Sequence, residues 1–439
     1  AIPGVHAVLT YKDIPRVKYA SGGQSYPQPL PYDQVSLDNK VRHVGDRVAV
    51  VAAETPELAR KALRMIEVDY EVLPHALNMD EALAEGAPII HDENDTEGIH
   101  DASRNIVNHI EAEAGDVDKA IAEADQVFEG TYFTPKQHHA QSEPHTCITY
   151  WDENERLVVR TSTQVPYHVR RIISPLVGLP IKQVRVIKPR IGGGFGGKQE
   201  ILLEDLCSHL TIATGRPVRM FMSRRFEFIA SRSRHPHKIH YKVGLKGKTV
   251  TAIDLRLIGD TGAFGSHALT VQMVGGFKGL TLYNAPNARF VCDTVYTNTC
   301  PAGAYRGYGS MQEQFAIEVL MEQIADQIGM DPIEFKYHNV IKVGEPMHLA
   351  KKLGEGREGF DQAMNTSAHE EALFIGAKAT DFYEKRKAYA NQTGDIRKGI
   401  GFAVVFHGSG IAGLDMASAT MKMNDDGSFN LLVGATDIG

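Results

Sequence analysis

Five glycines within the seven residues Gly192–Lys198, GGGFGGK, are the densest chemical signal in the chain. The segment follows a strand-like run, VRVIKP, and precedes ILLEDLCSHL, where Leu203, Leu206, Cys207 and Leu210 fall on one helical face. Strand, glycine turn and helix form a ligand cradle. Glycine lets backbone N–H groups approach a ligand closely, and a helix N-terminus favours anions. Two nucleotide readings fit in part. As a P-loop, Gly192 through Lys198 has the G-x-x-x-x-G-K spacing, but Gln199 stands where a magnesium-binding hydroxyl is required. As a dinucleotide fingerprint, Gly192, Gly194 and Gly197 match, without a tidy βαβ unit and its acidic residue about 20 positions on. The alternative to both is a tight turn that binds nothing.

Other residues offer weaker chemistry. QHHAQSEPHT carries His138, His139, Glu143 and His145, and on a strand the last three share one face. A hydrogen-bonded polar edge explains them better than a metal centre, whose ligands are usually more tightly spaced. The pair in HPH, His235 and His237, is split by proline. Arg306 and Tyr308 occupy a glycine-rich turn, AYRGYG, ahead of the helical EQFAIEVLMEQ, where a fixed guanidinium could meet an anion. An exposed turn arginine beside a half-buried tyrosine is an equal alternative. Arg224 and Arg225 in SRRFEF read as surface or interface charges. No G-x-S-x-G elbow occurs, and Cys147, Cys207, Cys292 and Cys300 form no C-x-x-C pair, so covalent hydrolase, zinc and disulfide readings lack support.

These residues need elements to hold them. Residues 1 to about 95 alternate strand and helix signals, with Thr55 as an N-cap, Pro56 at the first helical position and Glu57 in the first turn. The spacing predicts a helix through TPELARKALRM passing into a strand, EVDYEVLP. A polar stretch from His91 to Asn105 marks the end of this small α/β domain. From Ile106 to Val343, strands such as RLVVRTSTQ, HKIHYKVGL and VTAIDLRLIGD alternate with amphipathic helices, which implies an α+β domain with an extended sheet. A polar stretch from His348 to Arg397 includes one helix, AKATDFYEKRKAYANQ, and a closing hairpin turns at Asp425, Asp426 and Gly427.

With 439 residues, 43% hydrophobic and 23% charged, the chain can bury several cores and fill two to four domains. A net charge of −7 gives no overall attraction to nucleic acid or anionic membrane. There is no secretory leader and no apolar run near the ~20 residues that span a bilayer, so a cytoplasmic location is expected. Both ends look cut: Ala1 opens in strand-like sequence, and the chain halts at GATDIG after an alternating strand.

Three motifs together are more specific than any one: STQVP at Ser162–Pro166, GGGFGGK at Gly192, and AYRGYG at Ala304. In that order they resemble the molybdenum hydroxylases, which include xanthine dehydrogenases, aldehyde oxidoreductases and carbon monoxide dehydrogenases. The texture of HVRRIISPLVGLP and GGKQE is most similar to bacterial xanthine dehydrogenase molybdenum-binding subunits, truncated at both ends. The resemblance implies a hammerhead-type α/β domain over residues 1–98, its N-terminal part missing. A first molybdopterin-binding domain follows over 99–345, then a linker and the start of a second over 346–439. The cofactor implied is molybdenum–molybdopterin, in mononucleotide or cytosine dinucleotide form. The protein supplies no direct metal ligand, and Gln164 hydrogen-bonds from the second layer. The activity implied is hydroxylation of xanthine or hypoxanthine with water. Electrons then pass to 2Fe-2S clusters, FAD and NAD on partner subunits, in a dimer of heterotrimers.

By the same resemblance, Gln164, Gly194, Phe195 and Arg306 face the cofactor. Arg306 stabilises charge developing on the substrate, and Tyr308 and Phe402 sandwich a flat ring. Two positions depart from the purine pattern of animal enzymes: Gln199 replaces a glutamate, and Val274 replaces an arginine. Lys278 or Glu200 are the polar substitutes available. The general base, a glutamate, is expected beyond Gly439, so the chain alone is expected to be inactive. The alternatives are an aldehyde or other azaaromatic hydroxylase, a non-catalytic cofactor-binding fragment and, more distantly, a P-loop nucleotide hydrolase.

Overall fold

The computed structural model describes residues 2–23, 25–354, 356–407, 417–434 and 437–438. Strands β1 (Val5–Thr10) and β2 (Ala49–Ala53) pair antiparallel, followed by helices α1 (Pro56–Leu63) and α2 (Met79–Leu83). The Thr55 side chain caps α1 by accepting from Leu58 N–H at 3.2 Å. Residues 66–77 do not form the expected strand. A strand needs a neighbour to satisfy its backbone, and no strand among the described residues pairs here. Val68, Tyr70 and Val72 are exposed instead. The polar stretch after His91 is no solvated linker. His91 is buried and bonds Ala263 O, and Arg42 holds Glu93. Buried Asn105 donates to the carbonyls of Ala82 and Pro88.

Next come β3 (Ile106–Ala114), α3 (Val117–Ala122) and β4 (Gln126–Thr134), then β5 (Thr146–Trp151) and β6 (Leu157–Thr161). Helix α4 (Pro166–Leu176), β7 (Val184–Ile187), α5 (Glu204–Thr214), β8 (Val218–Phe221) and α6 (Arg224–Ala230) follow. The third group is β9 (His237–Lys246), β10 (Thr249–Gly262), α7 (Ala268–Thr281), β11 (Asn287–Tyr296), α8 (Ser310–Gln327) and α9 (Pro332–Asn339). The chain closes with α10 (His369–Ala379), α11 (Phe382–Tyr389), β12 (Ala419–Met423) and β13 (Phe429–Val433). The single helix expected near residue 380 is two, broken where Asp381 takes φ +51°. The hairpin turn at Asp425–Gly427 forms as read.

Two sheets carry the architecture. One has the order β3-β11-β10-β9-β4 and the other β7-β6-β5-β8. In β9, Ile239, Tyr241 and Val243 are buried while Lys238, His240 and Lys242 are half-buried, the period of a sheet covered on one face. Helices α7, α8 and α9 cover that sheet with Phe277, Leu320, Ile324 and Phe335. Leu206, Cys207 and Leu210 of α5 pack beneath the smaller sheet with Val169 and Ile173 of α4. Each sheet has one parallel pair, β6–β7 and β10–β11, and parallel strands need a crossover, supplied by α4 and α7. The STQ and glycine segments therefore lie just past the carboxyl ends of β6 and β7, where such sheets bind ligands. Among the described residues β7 is paired on one side only, beside a groove of about 580 Å³ whose lining includes Arg156, Arg170, Lys182, Arg185, Lys188, Arg190 and Asp437, the last 3.3 Å from Arg190 Nε.

Candidate cofactor and substrate site

The three motifs converge on one another through the backbone. Gln164 Oε1 accepts from the N–H groups of Gly196 at 3.0 Å and Lys198 at 3.2 Å, and Gln164 N donates to Lys198 O at 2.8 Å. Among the described residues no protein acceptor takes the Nε2 hydrogens of Gln164, so this end of the carboxamide is available to a ligand. Arg306 N donates to Phe195 O at 2.9 Å, which fastens the AYRGYG turn to the glycine loop. The Arg306 guanidinium has no carboxylate partner among the described residues, and the residue is exposed.

Close packing explains the glycines. A Cβ on Gly194 would lie 2.4 Å from Gln164 Oε1, one on Gly196 2.6 Å from Ala304 O, and one on Gly197 2.9 Å from His139 Cγ. The loop is pressed against three neighbouring segments, while Phe195, at φ +51°, stands 41% exposed at its tip. Its amides are thereby offered to whatever lies above.

Lys198 does not play a P-loop role. Its side chain is fully buried, and Nζ donates to Glu143 Oε2 at 2.9 Å, while Gly192 N–H donates to the same oxygen at 2.7 Å. Burial pushes the Lys198 ammonium below its usual range, against the pull of Glu143. A lysine so engaged does not reach out to a phosphate as a P-loop lysine does.

The histidines do not share a strand face; residues 135–145 form no strand. His139 Nε2 bonds Ala304 O at 2.7 Å, and burial holds its pKa at about 4. His145 Nε2 bonds Gly197 O at 3.0 Å and its Nδ1 contacts buried Glu227 at 2.9 Å. Burial raises the Glu227 carboxyl, but bonds from His145 and Gln141 outweigh it and the net shift is downward. Arg224 holds the same segment through Ser142 O at 3.1 Å. These side chains are the loop's scaffold. Sequence spacing missed Glu227, since a lone glutamate on a short helix carries no local signal.

Among the substrate-pocket candidates, Gln199 is half-buried, and its Oε1 is buried without a hydrogen-bond partner. Glu200 is committed elsewhere: Oε2 accepts from Arg232 at 2.6 Å and Ser21 at 2.7 Å, and Oε1 from Ser266. It is not available as a substitute ligand for substrate. Val274 is buried on α7, and Lys278 Nζ lies over the Phe277 and Phe406 rings. Tyr308, at φ +35°, bonds His267 and Thr270. Phe402 packs 6.0 Å from the Phe382 ring, against Gly376. Tyr308 and Phe402 are thus held by different parts of the fold, Tyr308 by the start of α7 and Phe402 by α10 and α11.

A molybdopterin cofactor-binding domain matches residues 99–340 and a second such domain 376–439. An aldehyde oxidase and xanthine dehydrogenase a/b hammerhead domain matches residues 1–74. A "probable hypoxanthine oxidase" of Escherichia coli is 39% identical over the whole chain and 48% of its own length. The chain therefore spans about half the length of that relative. A nicotinate dehydrogenase large molybdopterin subunit of Eubacterium barkeri is 35% identical over 87% of this chain and 86% of its own. The aldehyde oxidoreductase structure from Desulfovibrio gigas superposes with TM-score 0.83 at 28% identity, over 98% of this chain and 46% of that one. No helix among the described residues is long and apolar enough to cross a membrane. With its glycine cradle, its Gln164 and Arg306 contacts and these matches, the chain belongs to the xanthine dehydrogenase/aldehyde oxidase family of molybdopterin-binding oxidoreductases.

Proposed function

We propose that the chain is the front part of a molybdenum-binding subunit that hydroxylates a purine such as hypoxanthine or xanthine. The residues present fit the cofactor. The cradle at Gly194 and Gly196 has no room for a Cβ, and Gln164 offers a side-chain amide beside it. When bound, the molybdenum–molybdopterin group supplies two-electron oxidation of carbon with water as oxygen source. Gln164 and the backbone at Gly194 and Phe195 would hold it, and the Arg306 guanidinium stabilises negative charge developing on the substrate. Partner subunits carrying 2Fe-2S and FAD, and a base from outside this chain, complete the reading.

One observation carries the choice of a ring over an aldehyde. The buried Gln199 Oε1 has no donor, and an unsatisfied buried acceptor costs about 1–3 kcal/mol. A ring N–H satisfies it, whereas a simple aldehyde has no such donor. A second reading, a pyridine carboxylate such as nicotinate, is favoured by the 86% coverage of the nicotinate dehydrogenase subunit. The test is metal content and substrate-dependent NAD reduction by the full molybdenum-binding unit purified with its partners. Molybdenum with hypoxanthine or xanthine turnover supports the first reading, and nicotinate turnover alone moves the assignment to the second. Aldehyde turnover alone, or a preparation without molybdenum, refutes both.

A further inference from the structure

Tyr308 lies two residues beyond Arg306, and its hydroxyl is held by two buried residues. Its φ of +35° is one that side chains other than glycine rarely adopt. Its hydroxyl lies 2.6 Å from His267 Nδ1 and 2.7 Å from Thr270 Oγ1, both in residues that are 1% exposed. Gly23 settles the direction of the first bond. Its backbone N–H, which can only donate, lies 3.1 Å from the same Nδ1. That nitrogen therefore carries a lone pair, and Tyr308 donates to it. The imidazole proton sits on Nε2, 3.7 Å from Glu200 Oε1. Burial, opposed by Glu200, brings the His267 pKa to about 4, so the ring stays neutral under ordinary conditions.

The imidazole is itself immobile. A Cβ on Gly22 would lie 2.3 Å from Ser266 C and O and 2.5 Å from His267 N, so the N-terminal segment presses directly on this turn. Ser266 donates to Glu200, which Arg232 and Ser21 hold from the other side. Tyr308 is thus tied through one histidine to the residue that follows Gln199.

We infer that His267 is a positioning residue for substrate selection: it locks the Tyr308 ring through its hydroxyl, so that the site favours flat aromatic substrates over acyclic ones. The lock stands on the geometry alone, while the stacking of a substrate ring on Tyr308 rests on the proposed purine reading. A tyrosine free to change rotamer must be ordered when a ligand stacks on it, and a locked ring is already ordered. An acyclic aldehyde makes little use of a ring face and gains little from the lock.

The test uses the assembled enzyme with Tyr308→Phe, His267→Leu, His267→Asn and the double variant Tyr308→Phe/His267→Leu. KM for the ring substrate, relative to KM for an aldehyde, is expected to rise about five- to tenfold in Tyr308→Phe and His267→Leu. The double variant is expected to be no worse than either single, because both remove the same bond. His267→Asn, which keeps an acceptor near the Nδ1 position, recovers most of the loss. Equal KM changes for both substrate types, or additive effects, overturn the inference. A readout without turnover keeps it separate from the choice of substrate. With 3-fluorotyrosine at position 308, the 19F resonance is expected to be single and narrow, and to shift or broaden in His267→Leu and in the milder His267→Asn to a lesser degree. A resonance indifferent to His267 refutes the lock whatever the enzyme oxidises.

Discussion

Removing Glu143 and removing Lys198 should have unequal consequences, although the two form a single contact. Lys198 is fully buried with Glu143 as its ion-pair partner, whereas the Glu143 side chain is 32% exposed and also accepts from Gly192 N–H. Glu143→Ala leaves an ammonium stranded in the interior, a perturbation of about 3–5 kcal/mol when a buried pair loses one member. Lys198→Met removes the buried charge together with its desolvation penalty and leaves a carboxylate that water can reach. Its cost is expected at about 1.5–3 kcal/mol, the scale of one charge-assisted hydrogen bond. Urea unfolding followed by circular dichroism measures the difference, provided the slope is unchanged between variants. The midpoint is expected to fall further for Glu143→Ala, by roughly twice as much. Equal shifts, or a larger one for Lys198→Met, would show that the lysine contributes through something other than this pair. A gain of nucleotide affinity in Glu143→Ala would revive the P-loop role rejected above.

Other perturbations test separate parts of the structure. Gln164→Ala deletes two hydrogen bonds to the glycine loop, about 1 kcal/mol each, and is expected to lower the molybdopterin and molybdenum retained by the full subunit, read by pterin fluorescence and metal analysis. Gly309→Ala places a Cβ 2.2 Å from Val271 O at a φ of +87° and should destabilise the fold by several kcal/mol, visible as a lowered thermal midpoint. His139, His168 and His267 each have a pKa brought to about 4 by burial, below the ~6.5 of an unfolded histidine. Between those values the unfolded state binds the extra protons, so acidification from pH 6.5 toward 4 should cost each site about 1.4 kcal/mol per unit. The loss is absent above pH 6.5 and complete below 4. Urea midpoints measured from pH 7 to 5 check it, and His139→Gln should flatten the slope.

Local signals in the chain translated well into structure. Thr55 and Pro56 start a helix because the cap bond and the fixed φ act within one turn. Leu206, Cys207 and Leu210 of ILLEDLCSHL are buried in α5 as the spacing implies, but so are Glu204, Asp205, Ser208 and His209 on its other sides, which the spacing does not reveal. Strand–turn–helix around GGGFGGK was visible for the same reason. What sequence could not show is long-range. The partner of Lys198 lies 55 residues away and that of His145 82 residues away, and no periodicity links them. EVDYEVLP has strand composition, but a strand is made by its neighbour, and none is beside it. The histidines near Glu143 read as a hydrogen-bonded polar strand edge, and His139 and His145 are hydrogen-bonded, but from buried, non-strand backbone that residue type alone does not reveal. Phe402 packs against Phe382 of α11 and Gly376 of α10, and most of α10 precedes Ala377, where the helix read from the sequence begins.

The open edge of β7 bears on how copies of this chain behave toward each other. An unpaired strand is a template for another strand. This one carries Arg185 within it and Lys182 just ahead of it, while Lys188 and Arg190 beyond it contact Asp437, on a chain whose overall charge is −7. Two such edges brought together would set guanidinium against guanidinium. Self-pairing is thereby discouraged by repulsion that salt weakens, and the molecule should grow more prone to edge-to-edge association as ionic strength rises.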